Sequence, residues 1–510
     1  MNSYKNNKRL LKNTLFLYLR MFFVLAVTLY VSREILRVLG IEDYGVYNVV
    51  AGFVSFFGFL TATLSSSMQR FYNYEGIKHG CLGIQAVYNL GLYIHLLLVV
   101  LCVAFMEIGG VWYVNNIMNI PADRVHAALF LLHTCTFSLQ LLLLQIPYLG
   151  IILAKERMDF YAIVSIIDVA LQLLIVLMLP YISFDKLISY GLLLSIISFL
   201  KFLMYFVYAY VNFKELRLKK YSDFQLAKKI VSFSGWNLMG TFAYMLKDQG
   251  LNMLLNVFFG PSINAARGIS FQIKAALSSF SGNITTAFRP QIVNSYAASD
   301  FTHTKYLFFV ESKLCFALIA LLSFPLILNM DSVLRLWLGD NVPTCTNIFS
   351  ILVLLDLFIG IFNQPCNQIV WATGRLKNYQ LANSLVNIFL LPVSCAFLML
   401  GYSAYSVFVL TIIFSAVNQT VCVIFMNKLF DVGLRDYLFR VILPCLTSSI
   451  LLFLFLYIIE LFLDDTFLNI IILCVLELLF SIPIFYLFLL SKSEKQTLLV
   501  LVTKFLKNRF

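Results

Sequence analysis

Apolar residues run in blocks of about twenty along the whole chain, the length an α-helix needs to cross a ~30 Å hydrocarbon core. Fourteen such blocks can be placed: residues 13–32, 45–68, 84–107, 126–153, 159–182, 186–211, 229–259, 266–298, 306–329, 346–371, 379–401, 404–427, 437–460 and 466–490. None alternates apolar and polar residues with the two-residue period of an outer-membrane barrel strand. The pattern predicts an all-α polytopic membrane protein of about 14 transmembrane helices. Composition agrees: 61% of the 510 residues are hydrophobic and only 12% are charged, against about 25% charged in a soluble domain. The opening "MNSYKNNKRLLKN" runs straight into a full-length span with no small-residue cleavage site, so no cleaved signal peptide is expected.

An even number of spans puts both ends on one side, and the loops say which. With the first residues cytoplasmic, 27 of the 37 Lys and Arg fall in inside segments, 6 outside and four within spans. Positive residues collect on the cytoplasmic side, which predicts both termini there. The net charge of +12 is then a record of topology and calls for no nucleic-acid partner. No outside loop exceeds about 20 residues, so the machinery is expected within the membrane.

Two segments match at an offset of 218: "PYLGIILAKERMDFYA" from Pro147 and "PCNQIVWATGRLKNYQ" from Pro365. Proline, isoleucine, alanine, arginine and tyrosine coincide, and both segments join the fourth and fifth spans of a six-span unit. A weaker echo links "RVLGIEDYG" after span 1 with "NVFFGPSINA" after span 7. Parallel six-helix repeats predict two bundles, residues 1–215 and 216–432, with substrate held between them. Residues 433–510 would add two helices and a basic tail.

Polar residues follow the helical period where lipid would forbid them. In span 7, Asn237, Thr241, Tyr244, Asp248, Asn252 and Asn256 share one face, with Lys247 at its edge. In span 8, Arg267, Ser270, Lys274, Ser278, Ser281, Thr285 and Arg289 do the same. A charge at the bilayer centre costs about 2.5–3.5 kcal/mol, so such stripes face protein or water. Arg20 in span 1, Ser165, Asp168 and Gln172 in span 5, and Asp356, Asn363 and Asn367 in span 10 extend the set. Lone Ser, Thr or Asn residues ordinarily join helices by hydrogen bonds. Repeated cations point instead to a water-filled cavity for an anion, with Arg20, Lys247, Arg267, Lys274 and Arg289 on its charge. The neutral polar residues Asn237, Thr241, Tyr244, Asn252, Asn256, Ser278, Ser281, Thr285, Asn363 and Asn367 would line it. Asp168, Asp248 and Asp356 could pair with the cations or carry a coupling ion, a proton or sodium. Lys201 reads as a snorkelling side chain and Glu477 as a contact between helices. Ten scattered cysteines and five histidines show no ligand spacing, so no metal and no cofactor is expected.

"SREILRVLGIEDYGVYNVV", "LSSSMQRFYNYE", "YVNNIMNIPADRV", "AKERMDFYA" and "WATGRLKNY", in that order, resemble bacterial polysaccharide-biosynthesis membrane proteins. These are the Wzx-type flippases of the MATE-like multidrug/oligosaccharidyl-lipid/polysaccharide superfamily. The resemblance implies a multi-pass protein of the bacterial inner membrane. Its substrate would be an oligosaccharide repeat unit on undecaprenyl pyrophosphate, moved from the cytoplasmic to the periplasmic leaflet for O-antigen, capsule or exopolysaccharide synthesis. It also implies a polysaccharide polymerase and a chain-length regulator as partners.

A multidrug exporter of the same superfamily is the competing reading, and it would want a net negative cavity. Arg20, Lys247 and Lys274 balance Asp168, Asp248 and Asp356, and Arg267 with Arg289 tips the sum positive. A membrane polymerase or glycosyltransferase would need a large outside loop or a cytoplasmic domain, and neither is visible. A reporter fused after Phe510 should be active only as a cytoplasmic reporter; periplasmic activity would reverse the assigned topology.

Overall fold

The computed structural model describes residues 2–55, 57–155, 157–219, 223–297, 299–373, 376–430, 432–462, 467–491 and 494–496, with side chains from Phe23 onward except at scattered helical positions. Among the described residues every regular element is helical, and ten helical stretches are long and apolar enough to cross a membrane. All fourteen apolar blocks fall on helices.

The chain divides into two compact units, Met1–Gly268 and Ile269–Phe510. The first holds α1 (Asn2–Ser55), α2 (Gly58–Phe105), α3 (Val111–Asn116), α4 (Val125–Leu144), α5 (Ile146–Ala154), α6 (Met158–Met178), α7 (Lys186–Asn212), α8 (Phe224–Phe259) and the start of α9 (Pro261–Ala297). The second continues α9 and adds α10 (Phe301–Leu328), α11 (Met330–Leu338), α12 (Thr346–Gly360), α13 (Asn363–Thr373), α14 (Leu376–Met399), α15 (Tyr405–Phe430), α16 (Leu434–Tyr437), α17 (Leu443–Glu460) and α18 (Phe467–Ile484). The first unit ends later than the six-helix repeat does, because α8 packs against α1 and α2.

At 54 residues α1 would reach about 80 Å if straight, over twice the hydrocarbon thickness. Gly40 breaks it, at φ 79° and ψ 173°, a conformation open to glycine and closed to residues with a Cβ. Gly260, between α8 and α9, takes nearly the same angles, φ 80° and ψ −176°. The faint sequence echo between these two places is therefore an echo of backbone shape. An offset of 218 sets Gln145, where α4 gives way to α5, opposite Asn363, the first residue of α13. The same offset sets Met158 at the start of α6 opposite Leu376 at the start of α14.

Tight packing in the first unit uses glycine against polar side chains. A Cβ on Gly45 would lie 2.0 Å from the Pro261 carbonyl oxygen, and one on Gly268 would lie 2.5 Å from Asn48 Oδ1. Small residues let helix backbones approach this closely, which is how membrane helices associate without a hydrophobic driving force between them. Elsewhere the apolar surface faces outward: Ile450, Leu454 and Ile458 form an exposed stripe along α17.

Three connections at one end of the first unit meet at Arg124. Its Nε donates to Asp43 Oδ1 at 2.7 Å and its Nη1 to Asp185 Oδ2 at 2.6 Å, while Nη2 contacts the second oxygen of Asp43. Asp185 also caps α7, accepting the amides of Leu187 and Ile188 at 3.0 Å each. Burial raises the Asp43 carboxyl above its ordinary pKa, with Arg124 pulling the other way. Burial acts in the same direction at Asp185, but Arg124 and the two amides outweigh it and hold that carboxyl below the usual range. Arg124→Ala should lower stability by about 2 kcal/mol, since it strands two partly buried carboxylates. Thermal unfolding in detergent checks this, and Arg124→Lys, with one donor group for two partners, should fall between.

Candidate functional site

The polar stripe of α8 meets the start of α9 across the Gly260 turn. Asp248 is the centre of this contact: its Oδ1 accepts from Arg267 Nη2 at 2.7 Å, and its Oδ2 accepts from Gln249 at 2.7 Å. The same Nη2 also donates to the Asp248 carbonyl at 2.8 Å. Arg267 is 5% exposed, so the residue that charge counting puts in an outside loop is buried in helix packing. A guanidinium suits this place because its planar fork serves carboxylate and carbonyl together.

Two further members of the α8 stripe are bound into the same packing. Asn252 donates to the Asn48 carbonyl at 3.1 Å, and Asn264 donates to Asn252 Oδ1 at 2.9 Å. Asn256 Oδ1 accepts the Asn119 amide at 3.0 Å. Asn252 and Asn256 are 3% and 0% exposed, which places both between helices where the sequence suggests a cavity lining. Thr241 and Lys247 stay partly exposed, and Tyr244 is half exposed.

In the second unit Lys274 Nζ of α9 lies 2.5 Å from Asp356 Oδ2 of α12. Asp356 Oδ1 accepts from Ser415 Oγ of α15 at 2.5 Å, so one carboxylate joins three helices. The Lys274 ammonium also stands 5.4 Å from the Phe271 ring centre, within cation–π range. One turn earlier, Ser270 and Ser350 hydroxyls meet at 3.0 Å. Thr285 donates to Gln364 Oε1 at 2.9 Å, and the Gln368 amide reaches the Thr285 carbonyl, tying α9 to α13. Asn363 accepts from Cys422 at 2.9 Å and Asn367 from Tyr379 at 2.9 Å. Ser281 is buried and bonds within its own helix to the Ser278 carbonyl at 2.9 Å, while Ser278 is partly exposed.

The third aspartate follows the same rule. Lys201 Nζ of α7 donates to Asp168 Oδ2 of α6 at 2.9 Å, and Gln172 donates to its other oxygen at 3.3 Å. Lys201 is thus an intramembrane ion-pair partner, where its position alone reads as snorkelling. A signal was present: Asp168 lies 17 residues before Asp185 and Lys201 16 after it, equal depths on antiparallel helices. Ser415, Gln249, Asn48, Asn119 and Asn264 carried no such signal. The side chains of Arg20, Arg289 and Asn237 lie outside the described residues. No group of three or more metal-type ligands occurs among the described residues.

Every candidate coupling aspartate is therefore bonded to a cation, and two of those cations are candidate anion ligands. The chemistry of such pairs allows exchange, since an anion competes for the cation and a proton for the carboxylate. No protein-family model matches the chain, and no curated protein sequence matches it. Solved structures do. The inward-closed lipid II flippase MurJ superposes with TM-score 0.69 at 18% identity, covering 93% of this chain and 99% of that one. An inward-facing multidrug-resistance MATE transporter of the MOP superfamily gives 0.65 at 13%, covering 79% and 94%. A MOP-superfamily transporter from Pyrococcus furiosus, whose binding pocket has reversed polarity, gives 0.52 at 15%, covering 82% and 95%. The chain has the fold of these MurJ and MATE structures.

Lys274 and Asp356 form one ion pair across α9 and α12, so their substitutions are coupled. Lys274→Met or Asp356→Leu alone should each cost about 3 kcal/mol, and the double variant should recover about 1–3 kcal/mol of the sum. A thermal-unfolding double-mutant cycle measures this; strictly additive losses would show that the pair is not made.

Proposed function

We propose that this protein is a flippase that carries undecaprenyl-pyrophosphate-linked oligosaccharide units from the cytoplasmic to the periplasmic leaflet. The reading rests on one observation. The lipid II flippase structure covers 93% of the chain, whereas the MATE transporter covers 79%. The shortfall is about the size of residues 433–510, the two helices beyond the twelve of the repeats. A twelve-helix drug exporter has no use for that segment, and a lipid-linked cargo has a long polyprenyl chain to accommodate.

The ion pairs supply the mechanism. A pyrophosphate offers anionic oxygens that can replace the Asp356 carboxylate on Lys274. Protonating Asp356 releases Lys274 for the phosphate, and losing the proton restores the salt bridge and expels the anion. Substrate release and proton movement are then one exchange at one carboxylate; sodium beside the carboxylate would serve the same purpose. Alternating access also needs a contact that opens. The Asn48, Asn252 and Asn264 hydrogen bonds between α1 and the α8–α9 turn suit this role, being polar, buried and few. No covalent step is involved, and the protein acts as a transporter of the inner membrane.

The test uses a host that lacks this chain, with lipid-linked intermediates assigned to their leaflets. The oligosaccharide lipid should accumulate on the cytoplasmic side and be cleared by the wild-type protein. Lys274→Ala with Asp356→Ala, which removes the pair without stranding a charge, should give at least about tenfold less export per molecule of folded protein. Unchanged intermediates together with new sensitivity to cationic dyes would assign the protein to drug export.

A further inference from the structure

The face of the second unit where α10 begins and α18 ends holds a cavity of about 440 Å³. Its wall is both basic and aromatic, with Lys305, Lys313 and Arg440 beside Phe309, Phe439 and Phe488. Lys313 is 4% exposed and fully engaged, its Nζ lying 2.9 and 3.1 Å from the two Glu494 oxygens. Lys305 has Asp436 at 3.2 Å. Arg440 approaches the same Asp436 only at 3.8 Å, and its side chain is 66% exposed. Among the described residues three cations of the wall thus meet the carboxylates of Asp436 and Glu494, and the most accessible of the three is the Arg440 guanidinium. Beside it the wall is apolar and open: Phe439, Leu443, Leu487 and Phe488 are all strongly exposed.

We propose that this cavity binds the headgroup of an anionic glycerophospholipid, its phosphate on Arg440 and Lys305 and its acyl chains leaving along Phe439 and Phe488. Three observations support a lipid. The cavity has the size of a small-molecule site. Basic pockets between membrane helices on the cytoplasmic side suit anionic headgroups. A soluble phosphate would gain nothing from the phenylalanine wall. The chain's own terminal segment is a poor occupant: residues 497–510 carry Lys504, Lys507 and Arg509 and no acidic residue. A bound lipid would brace the added helices α17 and α18 against α10, without touching Lys274 or Asp248.

The experiment is native mass spectrometry of the full-length protein released from nanodiscs of phosphatidylcholine with phosphatidylglycerol. The wild type should retain phosphatidylglycerol in preference to phosphatidylcholine. Each neutralised cation should lower that preference about fivefold, so Lys305→Gln with Arg440→Gln should lower it about 25-fold. Lys305→Arg with Arg440→Lys should keep it. Both positions are partly or well exposed, so the fold should survive, and a matching melting temperature shows that it has. Equal retention of the two lipids, or equal preference in wild type and double variant, would overturn the proposal. So would inorganic phosphate or pyrophosphate binding at Arg440 and Lys305 as tightly as the lipid, which would assign the cavity to a soluble anion or to a polyprenyl pyrophosphate.

Discussion

A charged side chain in hydrocarbon must find its counter-charge, and this constraint arranges the membrane interior of the protein. Asp168, Asp248 and Asp356 each sit within an apolar span, and each is met by a Lys or Arg from another helix at 2.9, 2.7 and 2.5 Å. The pairs are joined by neutral donors, Gln172, Gln249 and Ser415, which fill the second carboxylate oxygen. Such networks specify which helices are neighbours far more tightly than apolar packing does, because a misplaced helix leaves a bare charge. In the proposed function the same bonds supply the chemistry, since a salt bridge that an anion or proton can open doubles as a binding site.

The repeat operates at a different level. Helix breaks at Gln145 and before Asn363 and helix starts at Met158 and Leu376 keep the offset of 218, while the glycine turns at Gly40 and Gly260 stand 220 apart with nearly the same angles. The charged pairs do not follow it. Asp168 pairs α6 with α7, whereas Asp356 pairs α12 with α9. Backbone shape is thus repeated while the intramembrane charges are individual, as expected when scaffold and site serve different needs.

Much of this was legible in the sequence, and the boundary is physical. Spans were legible because hydrocarbon thickness fixes the length of an apolar run, and the stripes of α8 and α9 because a helix has one period. What a stripe faces is a long-range property. Asn252 and Asn256 occupy the same stripe as Tyr244, yet two are buried in packing and the third is half exposed. Gly52 and Gly268 let α1 come close enough for Asn48 to take the Asn252 bond, and Asn256 is held by Asn119 instead. Ser415 was illegible for a related reason: a serine in an apolar helix usually bonds its own backbone, and only the fold brings this one to Asp356.

The neutrality of these pairs also bears on energy. Moving one elementary charge through the full transmembrane potential is worth about 2.3 kcal/mol per 100 mV. Lys201 with Asp168, Arg267 with Asp248, and Lys274 with Asp356 each sum to zero formal charge. A helix that shifts together with both members of its pair carries no gating charge. Each closed pair therefore adds nothing to the charge the voltage acts on, and at these three places the field is felt only when a proton or an anion opens a pair.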